Sequence, residues 1–375
     1  MTESVAPRPL PDPPPRLAVG LALGLRRLLQ RAADALVPPQ LALFDRVVGV
    51  GATQLIRAAA RLGLADLLAA TPRSAAELAR ATGADPDALH RLLRGLVAIG
   101  LFRRGRDGRF HNNRLSRALR SGGPGSLRDY ALYFGSAANV RAWSDLDRSL
   151  AGAGAENGGS AFERVHGATI WDWFDAHPDE RETFAGAMGE LTELYASAVA
   201  SARPFGAVRR LCDVGGGRGT LLAEILLRHP RIEGVLLESH GVVEAARPFL
   251  AARGVLDRVE LVAGSFFAAV PAGCDAYLLK NVLHDWDDAR CREILGACRR
   301  AMAPGALLLV VETVVEADTV RDLGPLSDLQ MMMVCSGGRE RSREELARLY
   351  KECGFRLERV LATASPMSLV QGVAV

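Results

Sequence analysis

Arg210-Leu211-Cys212-Asp213-Val214-Gly215-Gly216-Gly217-Arg218-Gly219-Thr220 is the stretch on which the fold turns. An apolar run ends on an acid, three glycines follow, and a helical pattern begins at once. Glycine lets the backbone turn tightly and lets a ligand come close to it. Outward from this turn the rhythm repeats. GVLLE, RVELVAG, AYLLK and ALLLVVE read as buried strands, with helices expected at 219–229, 241–253 and 288–303. Apolar runs alternating with amphipathic helices predict a Rossmann-like α/β domain, a parallel sheet with helices on both faces. A ligand then belongs at the carboxyl ends of the strands.

Two cofactors compete for the glycine turn. The dinucleotide fingerprint G-x-G-x-x-G/A, started at Gly215, needs Gly or Ala at 220, where Thr220 stands. The spacing Asp213-x-Gly215-x-Gly217-x-Gly219 instead fits a loop for S-adenosylmethionine, which brings no pyrophosphate. Glu238 ends the second strand, where a carboxylate accepts both hydroxyls of a ribose. The third strand ends in Gly264-Ser265-Phe266-Phe267, whose backbone and rings suit an adenine, although the rings suit a core equally well.

Beyond the fourth strand runs Lys280-Asn281-Val282-Leu283-His284-Asp285-Trp286-Asp287-Asp288. A histidine past a strand's carboxyl end faces the same crevice as the glycine loop, and its ordinary pKa of ~6.5 suits proton removal. Asp287 reads as the cap of the next helix. His284 alone among seven histidines joins strand-end placement to acids at other strand-end and loop positions, Glu312 and Glu340. A carboxylate on one ring nitrogen makes the other nitrogen the base. Glu340 also stands between Arg339 and Arg341, so a surface ion pair is the competing reading for it.

The 375 residues allow two domains, and 49% hydrophobic and 24% charged residues are those of a globular chain. A net charge of +3 without a dense basic run points to no nucleic acid. Six cysteines, Cys212, Cys274, Cys291, Cys298, Cys335 and Cys353, lack metal-ligand spacing and read as free core thiols of a cytoplasmic protein. No run reaches membrane-span length, and MTESVAPRPLPDPPPR is unlike a secretory signal. Its prolines predict a disordered tail with little to bury. An amphipathic helix is expected from Leu17 to Leu36, so residues 1–39 read as tail plus helix, a surface or dimer element rather than a membrane one. Residues 40–205 read as helical, and 206–375 as the α/β domain, joined near Pro204. Within 74–113, helices capped by Ser74 and Asp85 precede two strands around Arg106-Asp107-Gly108, the order of a winged helix. The Gly/Ala loop 151–160 reads as punctuation.

These pieces together resemble the plant-type, two-domain O-methyltransferases, especially bacterial enzymes that tailor natural products such as antibiotics. The resemblance covers about residue 40 to 375. It rests on DVGGGRGTL, Phe184-Ala185-Gly186-Ala187-Met188, LLKNVLHDWDD, RRAMAPGALLLVVE and DLQMMMVCSGGRERSREEL followed by CGF. It implies a winged-helix dimerisation domain, an intertwined homodimer, and metal-independent methyl transfer from S-adenosylmethionine to a hydroxyl of a small aromatic or polyketide-like acceptor. By position His284 becomes the base, with Glu312 and Glu340 as flanking acids. Gly215, Glu238 and Lys280 become cofactor contacts, and Trp143, Met188, Asp328 and Met332 acceptor contacts. Three departures stand out: Glu238-Ser239-His240 replaces an Asp-Leu-Pro segment, Ser265 replaces an adenine-binding Asp, and the tail before residue 40 is long. The alternatives are a relative that hydroxylates, decarboxylates or runs a pericyclic reaction instead of methylating, and a winged-helix regulator that senses the cofactor.

Overall fold

The computed structural model describes residues 8–123, 125–152, 159–316 and 324–375. Most of the Gly/Ala loop expected at 151–160 falls outside the described residues. Contacts divide the chain into two units. One holds the described residues up to Val19, Arg141–Ala176 and Thr192–Val375; the other holds Gly20–Val140 and His177–Leu191.

The helical unit carries the expected winged helix. Ser74 and Glu77 form a capping box that starts the helix Ala75–Thr82, and Asp85 caps Pro86–Ala98. Strands β1 (Phe102–Arg104) and β2 (Phe110–Asn112) pair antiparallel behind them. Leu78, Leu89, Leu93, Leu96, Phe102 and Phe110 fill the core between these elements.

The larger unit is built on seven strands. In chain order β3 (Arg210–Val214), β4 (Glu233–Glu238), β5 (Val259–Ala263), β6 (Ala276–Lys280) and β7 (Leu307–Glu312) precede β8 (Phe355–Ala362) and β9 (Ser368–Ala374). Their spatial order is β5-β4-β3-β6-β7-β9-β8. The chain winds outward from β3 to β5, then returns to place β6 on the other side of β3. That reversal is the switch point at which crossovers diverge and leave a crevice. The helices Thr220–Arg228, His240–Ala252 and Asp288–Ala301 stand within a residue or two of their expected places. Every residue from Thr220 to Leu226 is buried, so the glycine turn rests on a packed base.

Three expectations need correction. The sheet is mixed, because β9 runs antiparallel to both β7 and β8. β8 mixes exposed with buried positions as an edge strand does, so no apolar run announced it. Second, the contacts do not divide near Pro204. Trp143 donates to Gln330 Oε1 at 2.6 Å and Ser160 to the Val334 carbonyl, which ties residues 141–176 to the α/β unit. The chain passes between units within the helix Pro178–Ala200. Third, the proline-rich tail is seated from residue 8 onward. The Leu10 N–H donates to both oxygens of Glu224 at 3.0 Å, and Arg228 reaches Asp12 at 2.7 Å and the Leu10 carbonyl at 2.6 Å. Glu224 is fully buried and needs donors, and an extended strand without its own ladder has N–H groups to give.

Candidate active site

The cofactor corner is one strand, one turn and one helix. Gly215, Gly217 and Gly219 take φ of 70°, 59° and 77°, a region closed to most side chains. A Cβ on Gly217 would enter open space, whereas one on Gly215 would press on Val282 and Phe266. The turn therefore offers a bare backbone surface beside the Phe266 ring. Asp213, at the end of β3, is buried, and neither carboxylate oxygen has a hydrogen-bond partner. Burial pushes its pKa up to about 7, against the pull of Lys280. Such a carboxylate is costly unless a cation or donor meets it. Glu238 Oε1 accepts from the Gly217 N–H at 3.0 Å and Oε2 from Ser239 at 2.9 Å, which ties β4 to the turn. Burial raises its pKa as well. Lys280 donates to Thr192 Oγ1 at 2.9 Å. The Gly264 N–H donates to the Glu238 carbonyl, and Ser265 Oγ accepts from the Phe267 N–H. These residues fit S-adenosylmethionine: an unpartnered acid for an ammonium, bare backbone for the amino-acid part, Glu238 for hydroxyls, and the 264–266 edge for a base.

The base corner is assembled from distant segments. A one-turn helix, Leu283–Asp285, follows β6 and buries His284. Its entry is Asn281, the one described non-glycine residue with positive φ, at 53°. His284 Nδ1 lies 3.0 Å from Glu340 Oε1. An ionised carboxylate only accepts, so Nδ1 carries a proton and Nε2 is left to act. Nε2 stands 3.6 Å from Asp285 Oδ1, too far for a hydrogen bond. Burial alone would lower the pKa of this imidazole. The carboxylates of Glu340, Asp285 and Glu312 outweigh it and raise the pKa to about 10. Burial pushes Glu312 up to about 7, against the pull of His284 and with the push of Glu340.

The two predicted flanking acids do different things. Glu340 holds the ring. Glu312 accepts from the backbone N–H groups of Leu283 (2.8 Å) and His284 (3.1 Å), so it fixes the turn and not the imidazole. Glu340 is itself held: Ser327 donates to its Oε1 at 2.6 Å, and its N–H donates to Asp328 Oδ1 at 2.8 Å. Asp328, expected to meet the acceptor, thus spends one oxygen on the backbone. The surface ion pair that competed for Glu340 is absent, since its side chain is buried. Trp143 and Met332 fall in the same unit as His284, and Met188 in the other.

Sequence reasoning missed three parts. Arg341 is fully buried and donates to the carbonyls of Leu283 (2.8 Å) and Trp286 (2.7 Å) and to Asp288 at 2.9 Å. Asp285 and Ser327 were also passed over. The pair Gly337-Gly338 was the available signal. A Cβ on Gly338 would lie 3.0 Å from the His284 carbonyl, so glycine there lets one loop close on the other.

A family model of the O-methyltransferase domain matches residues 143–356, and one of the O-methyltransferase dimerisation domain matches 46–122. The phenazine O-methyltransferase PhzM of Lysobacter antibioticus is 39% identical over 335 residues, covering 89% of this chain and 96% of that one. Among solved structures, LaPhzM superposes with a TM-score of 0.86 at 38% identity, over 90% of this chain and 100% of that one. The neocarzinostatin-biosynthesis O-methyltransferase NcsB1, in complex with S-adenosylmethionine and 2-hydroxy-5-methyl naphthoic acid, gives 0.72 at 33% identity over 86% and 96%. The chain belongs to the O-methyltransferase family: a homodimeric enzyme, with that family's dimerisation domain, that takes its methyl group from S-adenosylmethionine. No helix among the described residues is long and apolar enough to cross a membrane.

Proposed function

We propose that this enzyme methylates a phenolic hydroxyl of a small aromatic secondary metabolite, with His284 as general base, in the cytoplasm. The observation that carries the reading is the Nδ1–Glu340 contact at 3.0 Å, which leaves Nε2 as the proton acceptor on a buried ring. A phenol has an ordinary pKa of ~10. An unperturbed histidine would take its proton uphill by ~3.5 units, on the order of 5 kcal/mol. A histidine raised to about 10 by its acids takes it at little cost. The bound sulfonium cofactor supplies an electrophilic methyl group. This chain aligns the acceptor oxygen and receives its proton at Nε2, and the Glu340 carboxylate stabilises the imidazolium that forms. Alignment accounts for most of the acceleration and the base for about 10²–10⁴-fold. Asp213, Gly215, Gly217, Glu238, Gly264, Ser265, Phe266 and Lys280 form the cofactor corner, and Trp143 and Met332 face the acceptor. The naphthoic acid in NcsB1 and the phenazine acceptor named for the Lysobacter enzyme support an aromatic substrate.

The sign of the pH dependence follows from the raised pKa. A base must be deprotonated, so kcat/KM for a hydroxylated naphthoate or phenazine should climb from pH 7 towards 10 and level off above. With labelled cofactor, His284→Gln should be about 10²-fold slower at pH 8, and whatever rise it keeps should follow the acceptor's own ionisation near ~10. A flat wild-type profile between pH 7 and 9, with the variant fully active, would remove His284 from the chemistry.

A further inference from the structure

The helix Arg16–Ala35 has no buried residue. Leu17, Leu21, Leu25, Leu28 and Leu29 keep between 57% and 83% of their surface exposed. The positions Ala18, Leu21, Leu25, Leu28, Ala32 and Ala35 alternate in steps of three and four, so they form one seam along the helix. Arg26, Arg27, Gln30, Arg31 and Asp34 lie off it. An exposed apolar stripe of this length is a binding surface or a liability.

Both ends of the helix are anchored. At its root, Leu10 and Asp12 are tied to Glu224 and Arg228. At its far end Asp34 pairs with Arg46 at 2.5 Å, on the next helix, Pro39–Val47. Apolar side chains are exposed there too: Leu41, Leu43, Phe44, Val47, Val48 and Val50 are 44% to 65% exposed. These residues run directly into the dimerisation domain, whose match begins at residue 46.

We propose that the leucine seam of Arg16–Ala35 packs against a second copy of this chain and extends the dimer interface ahead of the dimerisation domain. Continuity with that domain selects the partner. The small residues Ala18, Ala32 and Ala35 at the ends of the seam let a second helix come close, and its 3.5-residue period is that of helix pairing. A helix that lies on a membrane is edged by cations along its length. Here the cations after Arg16 gather at 26–31.

The test uses the full-length protein. Leu21→Asp, Leu25→Asp and Leu28→Asp together should raise the dimer dissociation constant at least tenfold in sedimentation equilibrium. Circular dichroism and cofactor binding should stay as in the parent. Independently, a photo-crosslinking amino acid at position 25, in a mixture of isotopically light and heavy protein, should give light–heavy products mapping to residues 16–50. An unchanged dissociation constant, or crosslinks only within one chain, would overturn the proposal. So would sedimentation of the parent with phosphatidylglycerol-containing vesicles that the triple variant does not show, which would assign the face to a membrane.

Discussion

The two corners of the crevice reach similar ends by different means. At the cofactor corner a continuous piece of chain, 213–219, does the work, mostly with backbone, and Glu238 braces it through the Gly217 N–H. At the base corner three segments converge: the turn 283–285, the end of β7, and the loop 337–341. The first leaves a buried acid without partners, and the second surrounds a buried histidine with three acids. One site is charged in waiting for a cation; the other has made its cation internally. The lesson is that a backbone site depends on φ, whereas an electrostatic site depends on every member of its network.

The largest effect that tests this contrast belongs to His284→Ala. It should lower kcat about 10²-fold or more and leave S-adenosylmethionine affinity in calorimetry nearly unchanged. Weakened cofactor binding of similar size would merge the two corners into one. Next comes Glu340→Gln, which removes the negative charge beside Nδ1 and should cost about tenfold in kcat while moving the rise of the pH profile to lower pH. Glu312→Gln should cost only a few-fold, because an amide oxygen still accepts from the Leu283 and His284 N–H groups. Equal losses for the two would show that the ring needs both acids.

The cofactor corner gives an effect of opposite sign on stability. The Asp213 pKa is raised to about 7, so its charge opposes folding as pH rises above ~3.9, and the full penalty is present above 7. Asp213→Asn should therefore raise the melting temperature of the cofactor-free protein at pH 8 by several degrees, with no gain at pH 4. It should weaken cofactor binding about tenfold at pH 8. A lower melting temperature at pH 8 would mean that Asp213 serves the fold. The smallest change concerns the tail. Deleting residues 1–15 takes the Leu10 N–H from buried Glu224, which keeps Arg228 and Arg253. The expected cost is about 1–2 kcal/mol, read as a lower urea midpoint. No shift at all would return the tail to the disordered reading.

The winged helix, the five parallel strands and the glycine turn were legible because each is a local pattern: a cap, an apolar run, a spacing of glycines. His284 was legible because it follows a strand end. What was not legible shows where locality fails. Leu369 and Val370 lie in a strand whose partner β7 is some sixty residues earlier, and the edge strand β8 has no apolar run. Arg341, amid arginines and glutamates, reads as surface charge until the loop closes and buries it against two carbonyls. Leu10 sits among prolines that promise no structure.

By itself the sequence determined the strand–turn–helix that presents bare backbone to a cofactor, because φ above zero at Gly215, Gly217 and Gly219 is a property of the residues there. It also determined that an imidazole would stand at the end of β6. Only the tertiary structure decided which acid holds that imidazole. Glu312 and Glu340 are the same side chain, 28 and 56 residues beyond the histidine along the chain. Which of them meets a ring nitrogen and which meets two backbone N–H groups depends on how the loop 337–341 closes over the turn, and burial pushes the pKa of Glu312 up.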